Sequence, residues 1–222
     1  MQIADNIREI NNSLPNGVKL VAVSKFHPAE AIKQAYSAGQ RIFGESKVQE
    51  MTAKYEVLPR DIEWHFIGHL QTNKVKYITP FVSLIHGVDS YKLLKEIDKQ
   101  AEKAGRKVKC LLQIHIAQEE TKFGFSPEEC IEMLENKLHT ELNNIEICGL
   151  MAMASNTDDT VQIRKEFAGL KCLYDKLKQK YFNQSDSFKE LSIGMSGDYE
   201  IAIEEGSTLV RIGSKIFGNR EY

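Results

Sequence analysis

The stretch "KLVAVSKFHPAEAIKQAYSAG" (residues 19–39) sets the reading of the whole chain. Leu20, Val21, Ala22 and Val23 form an apolar run suited to a strand buried on both faces. Pro28 then opens a helical pattern over 29–38, and Gly39 stops it. A strand followed at once by a helix is half of a parallel β-α-β unit. Lys25 stands where the apolar run stops, and an ammonium there must reach water, find a partner or react.

The same alternation continues to the end of the chain. Runs at 41–43, 63–67, 82–86, 108–116, 145–151, 191–195 and 209–212 each precede a helix-like segment. Ser90 and the "SPEE" opening at 126–129 supply N-cap signals, the second with proline at the first helical position and an acidic first turn. Eight strand-then-helix units predict an α/β fold, a single (β/α)8 TIM barrel. An open doubly wound sheet is the alternative. Ile3, Ile7, Ile10 and Leu14 share a helical face and add an N-terminal helix before the first strand. No linker-like tract divides the sequence, so one domain over 1–222 is expected.

With 42% apolar and 27% charged residues the chain can bury a full core, and its net charge of -2 offers no basic surplus for nucleic acid or anionic membrane. No signal-peptide core or membrane-length apolar run is present, which leads us to expect a cytoplasmic protein. Cys110, Cys130, Cys148 and Cys172 lie far apart and read as reduced core thiols.

Candidate chemistry gathers at the strand ends. Gly194, Ser196 and Gly197 follow the seventh strand, and Gly213 and Ser214 follow the eighth. In barrels these two loops often hold phosphate, although glycines there also serve simply to turn strands into helices. Arg211 interrupts the apolar "TLVRIG" and faces either the barrel interior or an outer ion pair. A strand-end lysine, a phosphate cradle and an inward arginine suggest a phosphorylated carbonyl compound held as a Schiff base. Both a pyridoxal-phosphate protein and a sugar-phosphate aldolase fit that pattern. His65 and His69 have the spacing of a ligand pair but lack a third ligand, so no metal is expected. His115 reads as a satisfied barrel residue, and the charged helices as solvated outer faces.

The segments "VAVSKFHPAEAI", "FGESKVQE", "WHFIGHLQTNK" and "LSIGMSGDYEIAIEEGSTLVRIGSKIFG" resemble the signatures of the pyridoxal phosphate homeostasis proteins. Those proteins are relatives of the alanine racemase N-terminal barrel, of fold-type III. The resemblance spans residues 19–218. It implies that Lys25 holds pyridoxal 5′-phosphate, a vitamin B6 form, as a Schiff base. It also implies that Ser196, Gly213 and Ser214 hold the phosphate, that Met195 lies at the cofactor, and that Arg211 faces the pyridine nitrogen. Ser46 would also touch the cofactor, but it stands where the family usually carries asparagine. Ser214 replaces a frequent threonine and keeps the hydroxyl. Lys122 resembles a family lysine at the barrel mouth.

The implied function is homeostasis of the vitamer, by buffering or delivery, with little or no turnover. Apo forms of pyridoxal-phosphate enzymes would be the recipients. A low-activity amino-acid racemase is the alternative, and the sugar-phosphate aldolase comes third. The chain ends at Tyr222, four residues after the eighth unit. We therefore expect no second, racemase-type domain, an open site and a monomer.

Overall fold

The structure, a computed structural model, describes residues 2–119 and 123–218. Helix α1 (Gln2–Ser13) precedes the repeating part, and its Ile7 and Ile10 are buried as their shared face requires. Then follow β1 (Lys19–Val23), α2 (Ala29–Ser37), β2 (Ile42–Glu45), α3 (Val48–Val57), β3 (Glu63–Phe66) and α4 (Val75–Ile78). The second half comprises β4 (Leu84–Val88), α5 (Tyr91–Lys103), β5 (Val108–Gln113), α6 (Pro127–Glu135), β6 (Ile145–Met151) and α7 (Thr160–Tyr181). It ends with β7 (Glu190–Met195), α8 (Tyr199–Glu204), β8 (Leu209–Ile212) and α9 (Ser214–Phe217). The strands close in sequence order, each parallel to the next, and β8 returns to β1 from Lys19↔Leu209 to Ala22↔Ile212. The chain is a closed (β/α)8 barrel, and the open-sheet alternative falls.

The strands are buried on both faces because each separates two layers. Their outward residues, such as Leu20 and Ala22, join the large core beneath the helices. Val21, Leu84, Leu111, Cys148, Met151 and Leu209 form a smaller cluster with buried positions of its own. His65, His86, Ser192 and Arg211 are also buried, on four different strands.

Local signals worked where the cap chemistry is explicit. Ser90 Oγ accepts from the Leu93 N–H at 3.3 Å. Ser126 and Glu129 form a reciprocal capping box at the start of α6. Other expectations need correction. The helix that the sequence pattern carries from Ser126 to Leu138 stops at Glu135, because Lys137 turns left-handed (φ 55°) and a 3-10 turn follows. The fifth strand ends at Gln113 rather than 116, since Ile114 bridges to Phe125 instead. The first strand ends at Val23, so Lys25 sits in the turn beyond it. Cys172 is exposed on α7, while Cys110, Cys130 and Cys148 are buried as expected; all four thiols are free.

Candidate functional site

Lys25 is half-buried in a tight turn at the C-terminal end of β1. The His27 N–H donates to the Ser24 carbonyl at 3.1 Å, which closes a β-turn with Lys25 and Phe26 at its centre. Phe26 has φ 69°, the left-handed position that such turns usually give to glycine. His27 in turn stacks on Phe217 of α9, with ring centroids 5.0 Å apart.

The turns after β7 and β8 meet beside this one. The Gly213 N–H donates to Ser196 Oγ at 3.3 Å, which joins the two strand ends. A Cβ at Gly213 would lie 3.1 Å from the Val23 carbonyl oxygen, so β8 crowds the end of β1 just before Lys25. Ser196 is half-buried and Ser214 exposed. Met195 is 39% exposed, and its N–H donates to Asp198 Oδ1 at 2.5 Å. Gly194 has φ +93° and abuts α8, where a Cβ would sit 2.9 Å from Tyr199 Cα; only glycine lets the short helix start so close to the strand.

Arg211 lies beneath these turns and is buried, which excludes the outward ion pair. Its Nη1 donates to the Ser192 carbonyl and hydroxyl oxygens, both at 2.7 Å, and its Nη2 donates to the Ala152 carbonyl at 3.0 Å. Ser192 Oγ also meets His86 Nδ1 at 2.9 Å, and His86 Nε2 meets His65 Nδ1 at 3.0 Å. Burial pulls His65 down to about 3, with help from Lys19 and Lys109. Burial, His65 and Arg211 also hold His86 well below its ordinary value. Both rings are therefore neutral near pH 7, and each carries one N–H. Arg211 can only donate to Ser192 Oγ, and His86 Nδ1 is the other polar atom that meets this buried hydroxyl. The tautomer that gives the hydroxyl hydrogen an acceptor has it donate to His86 Nδ1 and leaves the Nε2–H of His86 for His65. The donors thus run in one direction, from Arg211 down the column. His65 also lines a cavity of about 570 Å³ among Lys19, Glu63, Leu84, Lys109 and Leu209, at the N-terminal strand ends.

Burial also lowers Arg211 to about 10, against the opposing pull of Asp198, and leaves it charged at neutral pH.

Sequence reasoning missed Ser192 and His86, although each interrupts an apolar strand as Arg211 does. Ser192 precedes Gly194, and His86 follows Leu84, by the two-residue step that keeps one strand face. Ser46 stands apart from the joined turns. It follows β2 and lines a cavity of about 190 Å³ with Phe66, His69, Gln71 and Lys74. His69 pairs with Asp89 at 2.9 Å and stacks on Phe123, away from His65. Among the described residues no group of His, Cys, Asp or Glu could hold a metal. His115 lies beyond β5, where its Nε2 approaches the Glu119 carbonyl oxygen at 3.0 Å, so it serves a loop rather than the barrel interior. Lys122 lies outside the described residues.

A closed parallel barrel with a turn lysine, two joined serine–glycine turns and a buried arginine defines the class: a (β/α)8 protein with a polar C-terminal mouth. Residues 1–221 match the family described as "Alanine racemase, N-terminal domain". A "Pyridoxal phosphate homeostasis protein" of Aquifex aeolicus is 43% identical over 208 residues, 93% of this chain and 89% of that protein. The structure of PipY from Synechococcus elongatus without PLP superposes with a TM-score of 0.91 at 38% identity, covering 98% of this chain and 100% of that one. The same protein with PLP bound gives 0.88 at 37% identity, with the same coverage. This chain belongs to the pyridoxal phosphate homeostasis proteins, within the alanine racemase N-terminal domain family.

Proposed function

We propose that the chain binds pyridoxal 5′-phosphate through Lys25 and serves homeostasis of that vitamer, buffering or delivering it with little or no turnover. The observation that carries this reading is the state of Arg211. Its buried guanidinium is held by two carbonyl oxygens and one hydroxyl, none of them a carboxylate. These three bonds do not exhaust the five N–H donors of the group. A neutral aromatic nitrogen is an acceptor that suits such a cation. The names of the homologues and the PLP-bound relative support the same assignment.

The residues present fit the cofactor. Lys25 provides a half-buried primary amine at the mouth. The Ser196 and Ser214 hydroxyls and the Gly213 turn offer small polar groups of the kind phosphate oxygens accept from. Met195 supplies an apolar flank, and Ser46 a hydroxyl at the neighbouring strand end. When bound, the cofactor supplies an aldehyde for the lysine and a ring that can draw electrons. Arg211, a permanent cation, disfavours protonation of a ring nitrogen beside it and so weakens that electron sink. The arrangement therefore favours holding the vitamer over turning over an amino acid. We further read the chain as one domain, 1–222, monomeric and cytoplasmic, with apo pyridoxal-phosphate enzymes as recipients. No helix among the described residues is long and apolar enough to cross a membrane.

The test is the visible spectrum of the purified protein with added pyridoxal phosphate, followed by borohydride reduction and peptide mapping. A pyridoxyl adduct on the Lys25 peptide is expected. A protein that stays colourless and carries no adduct there removes the cofactor assignment. Rapid Cα–deuterium exchange in an added amino acid would replace buffering with racemase chemistry.

A further inference from the structure

The turn that carries Lys25 is gripped from behind by charged residues that the ligand site leaves unused. Lys54 on α3 is 6% exposed. It donates to Glu45 Oε1 and Glu50 Oε1 at 2.7 Å each, and to the Ser24 carbonyl at 2.8 Å. Glu45 Oε1 also accepts from the Ser24 hydroxyl at 2.6 Å, and Glu50 Oε1 accepts from the Phe26 N–H at 2.6 Å. One ion-pair cluster therefore holds the residue before Lys25 and the residue after it.

Two features set this cluster apart from ordinary packing. Glu45 is fully buried, yet its Oε2 has no hydrogen-bond partner, a cost that an apolar residue would avoid. Phe26 occupies a left-handed position and is 42% exposed, so burial does not fix that conformation. Lys47 lies over the ring at 4.8 Å, a contact to the side chain. The bond from the Phe26 N–H to Glu50 acts on the backbone directly.

We propose that Lys54, Glu45 and Glu50 are positioning residues that hold the Lys25 turn ready for covalent capture of an aldehyde, and so set its rate. The proposal rests on the reading of Lys25 as the attachment point. In capture, the neutral amine nitrogen bonds to the aldehyde carbon, and the carbonyl oxygen leaves as water with both amine protons. A C=N bond replaces C=O, and nothing is oxidised or reduced. The three charged residues act through the backbone of Ser24 and Phe26.

The experiment follows capture of pyridoxal 5′-phosphate by stopped-flow absorbance in the full chain, alongside amide hydrogen exchange at Phe26. Glu50→Ala is expected to slow capture about tenfold or more and to expose the Phe26 amide, with the fold retained. Glu50→Gln keeps an acceptor oxygen and should stay near the wild-type rate. Adding Phe26→Gly to Glu50→Ala should restore most of the rate, because glycine takes the left-handed position unaided. An unchanged rate in Glu50→Ala, or no recovery on adding Phe26→Gly, overturns the proposal. Lys54→Met tests the centre of the cluster, and if it fails to fold the Glu50 variants decide alone. Wild-type protein that forms no Lys25 adduct overturns the cofactor assignment itself, an outcome distinct from equal rates in wild type and variant.

Discussion

Arg211 is a buried cation whose hydrogen-bond acceptors, two carbonyl oxygens and one hydroxyl, carry no full charge. Ser192 is the hinge of that arrangement, since its hydroxyl takes a bond from Arg211 and makes one to His86. Ser192→Ala strands both partners in the interior and should lower stability by about 1–3 kcal/mol, read from the urea midpoint. The two histidines have a consequence for acid stability. Their ordinary value is 6.5, and the fold lowers His65 to about 3, so the unfolded chain binds the extra proton between those limits. Stability contributed by the neutral ring is complete above about pH 6.5 and is lost as the pH falls through that window. His65→Asn keeps an acceptor where Nδ1 was and cannot be protonated. Its urea midpoint should therefore fall less between pH 7 and pH 4.5 than that of the wild type. A parallel fall would place the acid lability elsewhere.

At the scale of elements, chemistry explicit in single residues was readable, and geometry set by neighbouring strands was not. The start of α6 needs only the N-cap Ser126, Pro127 in the first helical turn and the acidic Glu128 and Glu129, and it stands as the sequence has it. Ser126→Ala should cost about 1 kcal/mol in thermal unfolding. The pairing of β5 with β6 skips at Cys148, because Cys110 faces Ile147 and Leu111 faces Gly149. Nothing in "EICGLM" announces that bulge. It becomes visible only when β7 closes on the other side, where a Cβ at Gly149 (φ +148°) would overlap the Glu190 carbonyl oxygen. Gly149→Ala should therefore cost about 3 kcal/mol or more, or prevent folding altogether. The candidate site divides in the same way. Lys25, Ser196, Gly213 and Arg211 were legible because charges and small residues at the ends of apolar strands are conspicuous. Lys54 and Glu50 were not, because on a helix surface they read as an ordinary i,i+4 pair, and only the fold brings the Lys25 turn onto them.

At the scale of the molecule, eight repeats in order left few topologies besides a closed barrel, which is why the architecture could be read before any contact was known. A ligand that binds only this closed form should stabilise it. Pyridoxal phosphate at about a hundred times its dissociation constant should add about 2.7 kcal/mol, seen as a melting temperature that climbs with concentration. Lys25→Ala should remove most of that climb.

The seam between β1 and β8 carries one more consequence. Lys25 follows the first strand and Gly213 follows the last, yet a Cβ on Gly213 would touch Val23, and Asn6 Nδ2 donates to the Ile216 carbonyl at 2.9 Å across the same seam. A chain emerging from the ribosome offers its lysine well before its eighth-strand turn. The Lys25 turn and the turns proposed to anchor the phosphate therefore come together only once the eighth strand has closed on the first.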